Sequence, residues 1–127
     1  MSTSLHTDIN MESLNQLATF SDDTPLHMVN YLKYKQIDEE SGRTGKEIYK
    51  EYMEKAIPFF QQINADITFK AKPALMIIGP TDESLWDEIL IVTYASKNDF
   101  FKLVQMEGYP GDIRKQALSD SRIICCK

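Results

Sequence analysis

Apolar residues recur at three- and four-residue intervals through residues 45–63. Tyr49, Tyr52, Met53, Ala56, Phe60 and Ile63 fall on one side, while Lys46, Glu47, Lys50, Glu51, Glu54 and Lys55 fall on the other. A period near 3.6 predicts an amphipathic helix with that apolar stripe turned to a core. Glu47 to Lys50 and Glu51 to Lys55 are favourable surface pairs at helical spacing. Pro58 lies inside the helix, where it has no N–H to donate and crowds the preceding turn, so a kink or an early end is expected there. Upstream, Gly42-Arg43-Thr44-Gly45 lacks the spacing of a phosphate-binding loop and reads as a turn leading to an N-cap at Thr44.

Residues 10–20 predict a shorter helix, with Asn10 as its N-cap and Met11, Leu14, Leu17 and Ala18 on one face. From His27 the period falls to two. Met28, Asn30, Leu32 and Tyr34 share one face of a first strand, and Val29, Tyr31, Lys33 and Lys35 share the other. Ile67 to Gly79 is strand-like, with Pro73 marking a bulge, a bend or an edge position. Residues 86–94 hold four consecutive branched aliphatics, the mark of a strand buried on both faces. Ser96 and Asp99 resemble a capping box opening a helix with Phe100, Leu103 and Val104 on its apolar side, ended by Gly108. A last helical turn or two over Asp112 to Leu118 and a closing strand over Ser121 to Lys127 complete the chain.

After an N-terminal helical extension, residues 1–24, the order over residues 25–127 is therefore strand, helix, strand, strand, helix, strand. This is the split βαβ plan of a ferredoxin-like α+β fold, an antiparallel sheet with both helices on one face. The other face is left bare although its first and third strands are apolar on both sides. A second copy meeting it face to face is the economical cover, so a homodimer is expected.

Composition narrows the partners. Fourteen Lys and Arg against nineteen Asp and Glu give a net charge of −5, which argues against the basic surface that nucleic acid requires. No apolar stretch approaches the roughly 20 residues that span a bilayer, and the N-terminus has neither a basic n-region nor an apolar h-region, so a soluble cytoplasmic protein is expected. The two cysteines, Cys125 and Cys126, are adjacent and expected to be reduced thiols. With His6 and His27 21 positions apart, no metal site and no cofactor is expected.

Several segments together then carry a resemblance: MVNYLKY, GRTGKEIYKEYMEKAIPFF, WDEILIVTYAS, and GYP followed by IRKQALSDSRII. Over roughly residues 25–124 they resemble the dimeric α/β-barrel superfamily, and within it the domain-of-unknown-function family numbered thirteen-thirty. The resemblance implies ferredoxin-like subunits whose sheets face each other in a barrel, agreeing with the element order. The wider superfamily includes cofactor-independent monooxygenases, haem-degrading enzymes, isomerases and non-catalytic ligand-binding domains. Several of its monooxygenases place an Asn on the first strand and a Trp on or near the third, both facing a pocket; Asn30 and Trp86 stand in comparable places. The Asn would hold a developing oxyanion and the Trp would wall an aromatic substrate, or the Asn satisfies backbone groups in its strand and the Trp is core or a dimer contact. A haem ligand is not expected, since neither His lies on a predicted helix.

The remaining candidates are Asp87 or Glu88, only one of which can face the pocket, where burial would raise its pKa toward one suited to proton transfer. Tyr49 and Tyr52 line the long helix with hydroxyls free to reach a ligand, or pack as core. Tyr109 and Arg114 match positions where the related family tends to have Tyr and Arg, and Arg114 could clamp a carboxylate or sit exposed. Asn30, Trp86, Asp87 and Glu88 are thus the catalytic candidates, and Tyr49, Tyr52, Tyr109 and Arg114 the ligand-binding ones. The expectation is a small apolar or aromatic ligand with oxygenase or isomerase chemistry, against a non-catalytic binding or interaction dimer.

Overall fold

The structure is a computed structural model that describes residues 5–127; residues 1–4 of the N-terminal extension lie outside the described residues. In chain order the elements are α1 (Met11–Leu17), β1 (Leu26–Tyr34), α2 (Gly45–Gln61), β2 (Ala65–Ala71), β3 (Glu88–Tyr94), α3 (Lys97–Gln105), α4 (Gly111–Ala117) and β4 (Leu118–Cys126). The four strands form one sheet in the order β2-β3-β1-β4, each neighbour antiparallel to the next. This is the ferredoxin-like order that the element sequence predicts, with α1 as the expected N-terminal addition.

The helices cover one face. Leu26, Met28 and Leu32 of β1 and Leu90 and Val92 of β3 are buried against Ile48, Tyr52 and Ala56 of α2 and Leu103 of α3. α2 begins as its sequence demands. Thr44 accepts the Glu47 N–H at 3.2 Å while Glu47 accepts the Thr44 N–H at 3.2 Å, a reciprocal cap for two otherwise orphaned donors. The helix continues three residues past Pro58 before ending at Gln61. At α3 the expected capping box is not made: the Ser96 side chain caps no backbone N–H and instead reaches Asp99 at 3.4 Å.

β4 starts at Leu118, three residues before the expected closing strand, and the boundaries of β2 and β3 also differ from the sequence pattern. β2 stops at Ala71, two residues before the proline that cannot join a ladder, and its bulge falls between Ile67 and Phe69. The apolar run beyond it is not a strand; Ile77 and Ile78 are 82% and 92% exposed in a long connection to β3. β3 starts at Glu88, leaving Trp86 and Asp87 ahead of the regular strand. Among the described residues no helix is long and apolar enough to cross a membrane.

The loop between β1 and α2 is held by Asp38, which is only 4% exposed. Its carboxylate accepts from the Ser41 hydroxyl at 2.7 Å, Gln116 at 2.8 Å, the Ser41 N–H at 3.1 Å and Lys35 at 3.4 Å. Ser41 and Gln116, favouring the charged form, hold its pKa down at about 2. A depressed carboxylate pKa stabilises the folded state fully above the unfolded value near 4, and the contribution disappears as pH falls toward 2. Asp38→Asn is expected to be less stable than the parent at pH 7, with the difference shrinking between pH 4 and pH 2. Urea midpoints across that range check it; a constant difference would show that Asp38 acts through shape alone.

Candidate functional site

A cavity of about 140 Å³ lies between the inner sheet face and the helices. Its floor is Met28 and Asn30 of β1 with Leu90, Val92 and Tyr94 of β3, brought together because β1 and β3 pair with Asn30 opposite Leu90 and Met28 opposite Val92. Strand alternation sends these even-numbered residues to the helix side. The roof is the tyrosine edge of α2. Tyr34, Tyr49 and Tyr52 stack in sequence with ring centres 5.6 and 5.2 Å apart, and Tyr109 meets Tyr52 edge-on at 6.2 Å with the two hydroxyls hydrogen-bonded.

Asn30 is 6% exposed and both the nitrogen and the oxygen of its amide have a partner. Its Nδ2 donates to the Met28 carbonyl at 3.0 Å, and its Oδ1 accepts from the Arg114 guanidinium at 3.1 Å. An Asn is unfavourable in a strand interior, and here its amide meets a cation arriving from α4. The Tyr49 hydroxyl also lies beside Arg114. Burial pushes the phenols of Tyr49, Tyr52, Tyr94 and Tyr109 above their ordinary value, with Arg114 partly opposing it, so at neutral pH all four remain protonated donors.

A second, more open groove of about 370 Å³ adjoins the cavity, and Met28, Phe100, Arg114 and Ile123 border both. Thr7 and Ile9 of the N-terminal segment also border both. That segment crosses the boundary as a strap: the His6 N–H donates to Asp120 at 2.8 Å, the Ser121 hydroxyl donates to the His6 carbonyl at 2.8 Å, and Asp8 pairs with Lys115.

The structure gathers Asn30, Tyr49, Tyr52, Tyr109 and Arg114 around one cavity and places the other candidates elsewhere. Trp86 lies on the opposite sheet face, 5.8 Å from Tyr31 between ring centres, with Lys33 and Arg122 over its ring at 5.1 and 5.3 Å. Asp87 caps the end of β1, accepting the Tyr34 N–H at 2.8 Å. Glu88 accepts from the Tyr34 hydroxyl at 3.0 Å. Among the described residues that border the cavity there is no carboxylate. Tyr94 and the strap were not singled out in the sequence, and Phe100 was read there only as part of a helix's apolar side. Tyr94 shares the even-numbered face with Leu90 and Val92, a detectable signal; the strap has no local pattern that would reveal it.

The class defined by this arrangement is a ferredoxin-like α+β subunit with an internal cavity on its helix side and a bare sheet face on the other. Among solved structures the chain is similar to two crystal structures of RPA0582 from Rhodopseudomonas palustris, a protein of unknown function and a structural genomics target. One, of the methylated protein, shares 27% identity over 98% of this chain and 96% of that one, with a TM-score of 0.87. The other shares 28% over 98% and 97%, also with a TM-score of 0.87. SnoaB, a cofactor-independent oxygenase from Streptomyces nogalater, aligns at 13% identity over 81% of this chain and 91% of that one, with a TM-score of 0.48. No protein-family model and no curated protein matches the chain.

Proposed function

We propose that the chain is a homodimeric α/β-barrel protein that binds a small apolar or aromatic molecule in the cavity beneath each sheet. The observation that carries this reading is the partly enclosed, tyrosine-walled space of about 140 Å³ with Asn30 and Arg114 as its convergent polar groups. A dry cavity of about 150 Å³ is enough to take up benzene. The space therefore suits a single ring or a short aliphatic body.

The dimer rests on the bare face. Val29, Tyr31, Ile89 and Ile91 are half-buried there, and Phe69 and Ile124 are about half exposed. Such a contiguous apolar surface invites an isologous partner. The finer likeness to family thirteen-thirty stands on the sequence motifs quoted above. The free thiols of Cys125 and Cys126 suit the reducing cytoplasm.

Oxygenase or isomerase chemistry would draw on Asn30, whose amide beside a guanidinium suits a developing oxyanion. The non-catalytic reading is favoured by the placement of Asp87 and Glu88, whose carboxylates are bonded to Tyr34 and do not border the cavity. Binding at the cavity is tested with phenol as probe, followed by backbone amide chemical shifts. Val92→Phe, which fills the space from its floor, is expected to abolish the shifts, while Trp86→Phe on the other face leaves them unchanged. Loss of binding with Trp86→Phe and retention with Val92→Phe would move the site to the bare sheet face.

A further inference from the structure

Arg114 is a cation that borders two spaces: an inner cavity whose described lining has no carboxylate, and an outer groove whose lining includes Asp8, itself paired with Lys115. None of the ion pairs among the described residues includes it. Its neighbours are compensated: Arg122 pairs with Asp120 at 2.6 Å, and Lys115, next to it on α4, pairs with Asp8. The Arg114 guanidinium instead donates to a neutral amide oxygen, using one of its five N–H groups. Arg114 is half-buried, so part of its hydration is lost without a paired counter-charge, and an anion that enters beside it gains a charge-assisted hydrogen bond.

Its position fixes where that anion would sit. Arg114 borders both the inner cavity and the outer groove, so its free N–H groups lie at the junction between them. The protonated Tyr49 phenol beside it adds a neutral donor. A ring lodged against Leu90, Val92 and Tyr94 would present a substituent to this junction.

We propose that the ligand is a small monoanion, a carboxylate borne directly or on a short arm by a single ring or comparable apolar body, with Arg114 as its anion-recognising residue. The apolar body occupies the inner cavity and the carboxylate meets Arg114, oriented by the bond from Arg114 to Asn30. Anything attached beyond it runs out under the strap at Thr7 and Ile9. The proposal rests on the cavity being the ligand site, and the probes separate the two.

Benzoate and benzamide have nearly the same shape and differ in charge. Calorimetric titration of the full chain is expected to show benzoate binding at least about tenfold more tightly, the scale of one charge-assisted hydrogen bond. Arg114→Gln keeps an amide donor for Asn30 and removes the charge. It is expected to bring benzoate down to the benzamide level. Should that variant not fold, Ile9→Asp places a carboxylate on the exposed strap at the same junction and is expected to erase the same preference. Equal binding of both probes, or a preference for benzoate that survives these substitutions, overturns anion recognition by Arg114 and leaves the cavity as the ligand site. Failure of both probes to bind the parent protein overturns both readings.

Discussion

Gly45→Ala is expected to cost more than the roughly 3 kcal/mol that bounds most single substitutions, measured as a fall in unfolding free energy by urea titration. Gly45 opens α2 where three elements meet. Its N–H donates to the Lys35 carbonyl at 2.8 Å, and the Lys35 N–H donates to the Ala117 carbonyl at 3.0 Å. A Cβ on residue 45 would collide with the Ala117 oxygen and with both the N and the O of Lys35. These are backbone atoms of the end of β1 and the end of α4, and no rotamer change relieves the clash. Gly42→Ala in the same turn is the control. Its φ of +73° strains a side chain, but nothing lies within 4 Å of the added carbon, so about 1–2 kcal/mol is expected. Equal losses for the two variants would show that the crowding at Gly45 is relaxed by movement of α4.

The second large effect concerns assembly. Ile91→Glu sets a carboxylate in the middle of the bare sheet face, on β3 opposite Val29. Ile91 is only half-buried in the single subunit, so the subunit itself should keep its fold. In the proposed dimer the new charge is buried against an apolar partner, and a buried unpaired charge costs several kcal/mol. A weakening of dimerisation by about a hundredfold or more is expected, read by sedimentation at micromolar concentration. A parent protein that sediments as a monomer would overturn the covered-face argument at once.

The sequence makes the framework legible because period and caps are local. The tyrosine stripe of α2, its Thr44 cap and the even-numbered face of β1 follow from spacings within a few residues, and the strand order follows from the order of the elements. The candidate site was legible only where it lies on that framework: Asn30, Tyr49, Tyr52, Tyr109 and Arg114 border one cavity. Trp86 shows the limit. Alternation continued backward from Leu90 through Glu88 would put Trp86 on the side of Asn30. The ladder breaks before Glu88, where the Asp87 N–H donates to the Leu32 carbonyl at 2.8 Å and the Asp87 carboxylate turns back to Tyr34. The indole is thereby carried to the other face, against Tyr31 and between two cations. Parity holds only inside a regular strand. The bond between Arg114 and Asn30 spans 84 residues, so no local pattern announces it, and the same is true of the strap pinned to Asp120 and Ser121.

Arg114 sits three residues before the carbonyl of Ala117 that receives the Lys35 N–H, and two before Gln116, whose amide donates to Asp38. The place of Arg114 on α4 is therefore set in part by main-chain and loop contacts at the end of β1, while Phe60, Val92 and Val104 wall the cavity from other elements. Charge and shape are set by separate stretches of chain. Exchanging those apolar walls for larger or smaller ones should reshape the space while the cation stays where it is. A redesigned or diverged relative would then keep one chemical handle and vary the body it accepts.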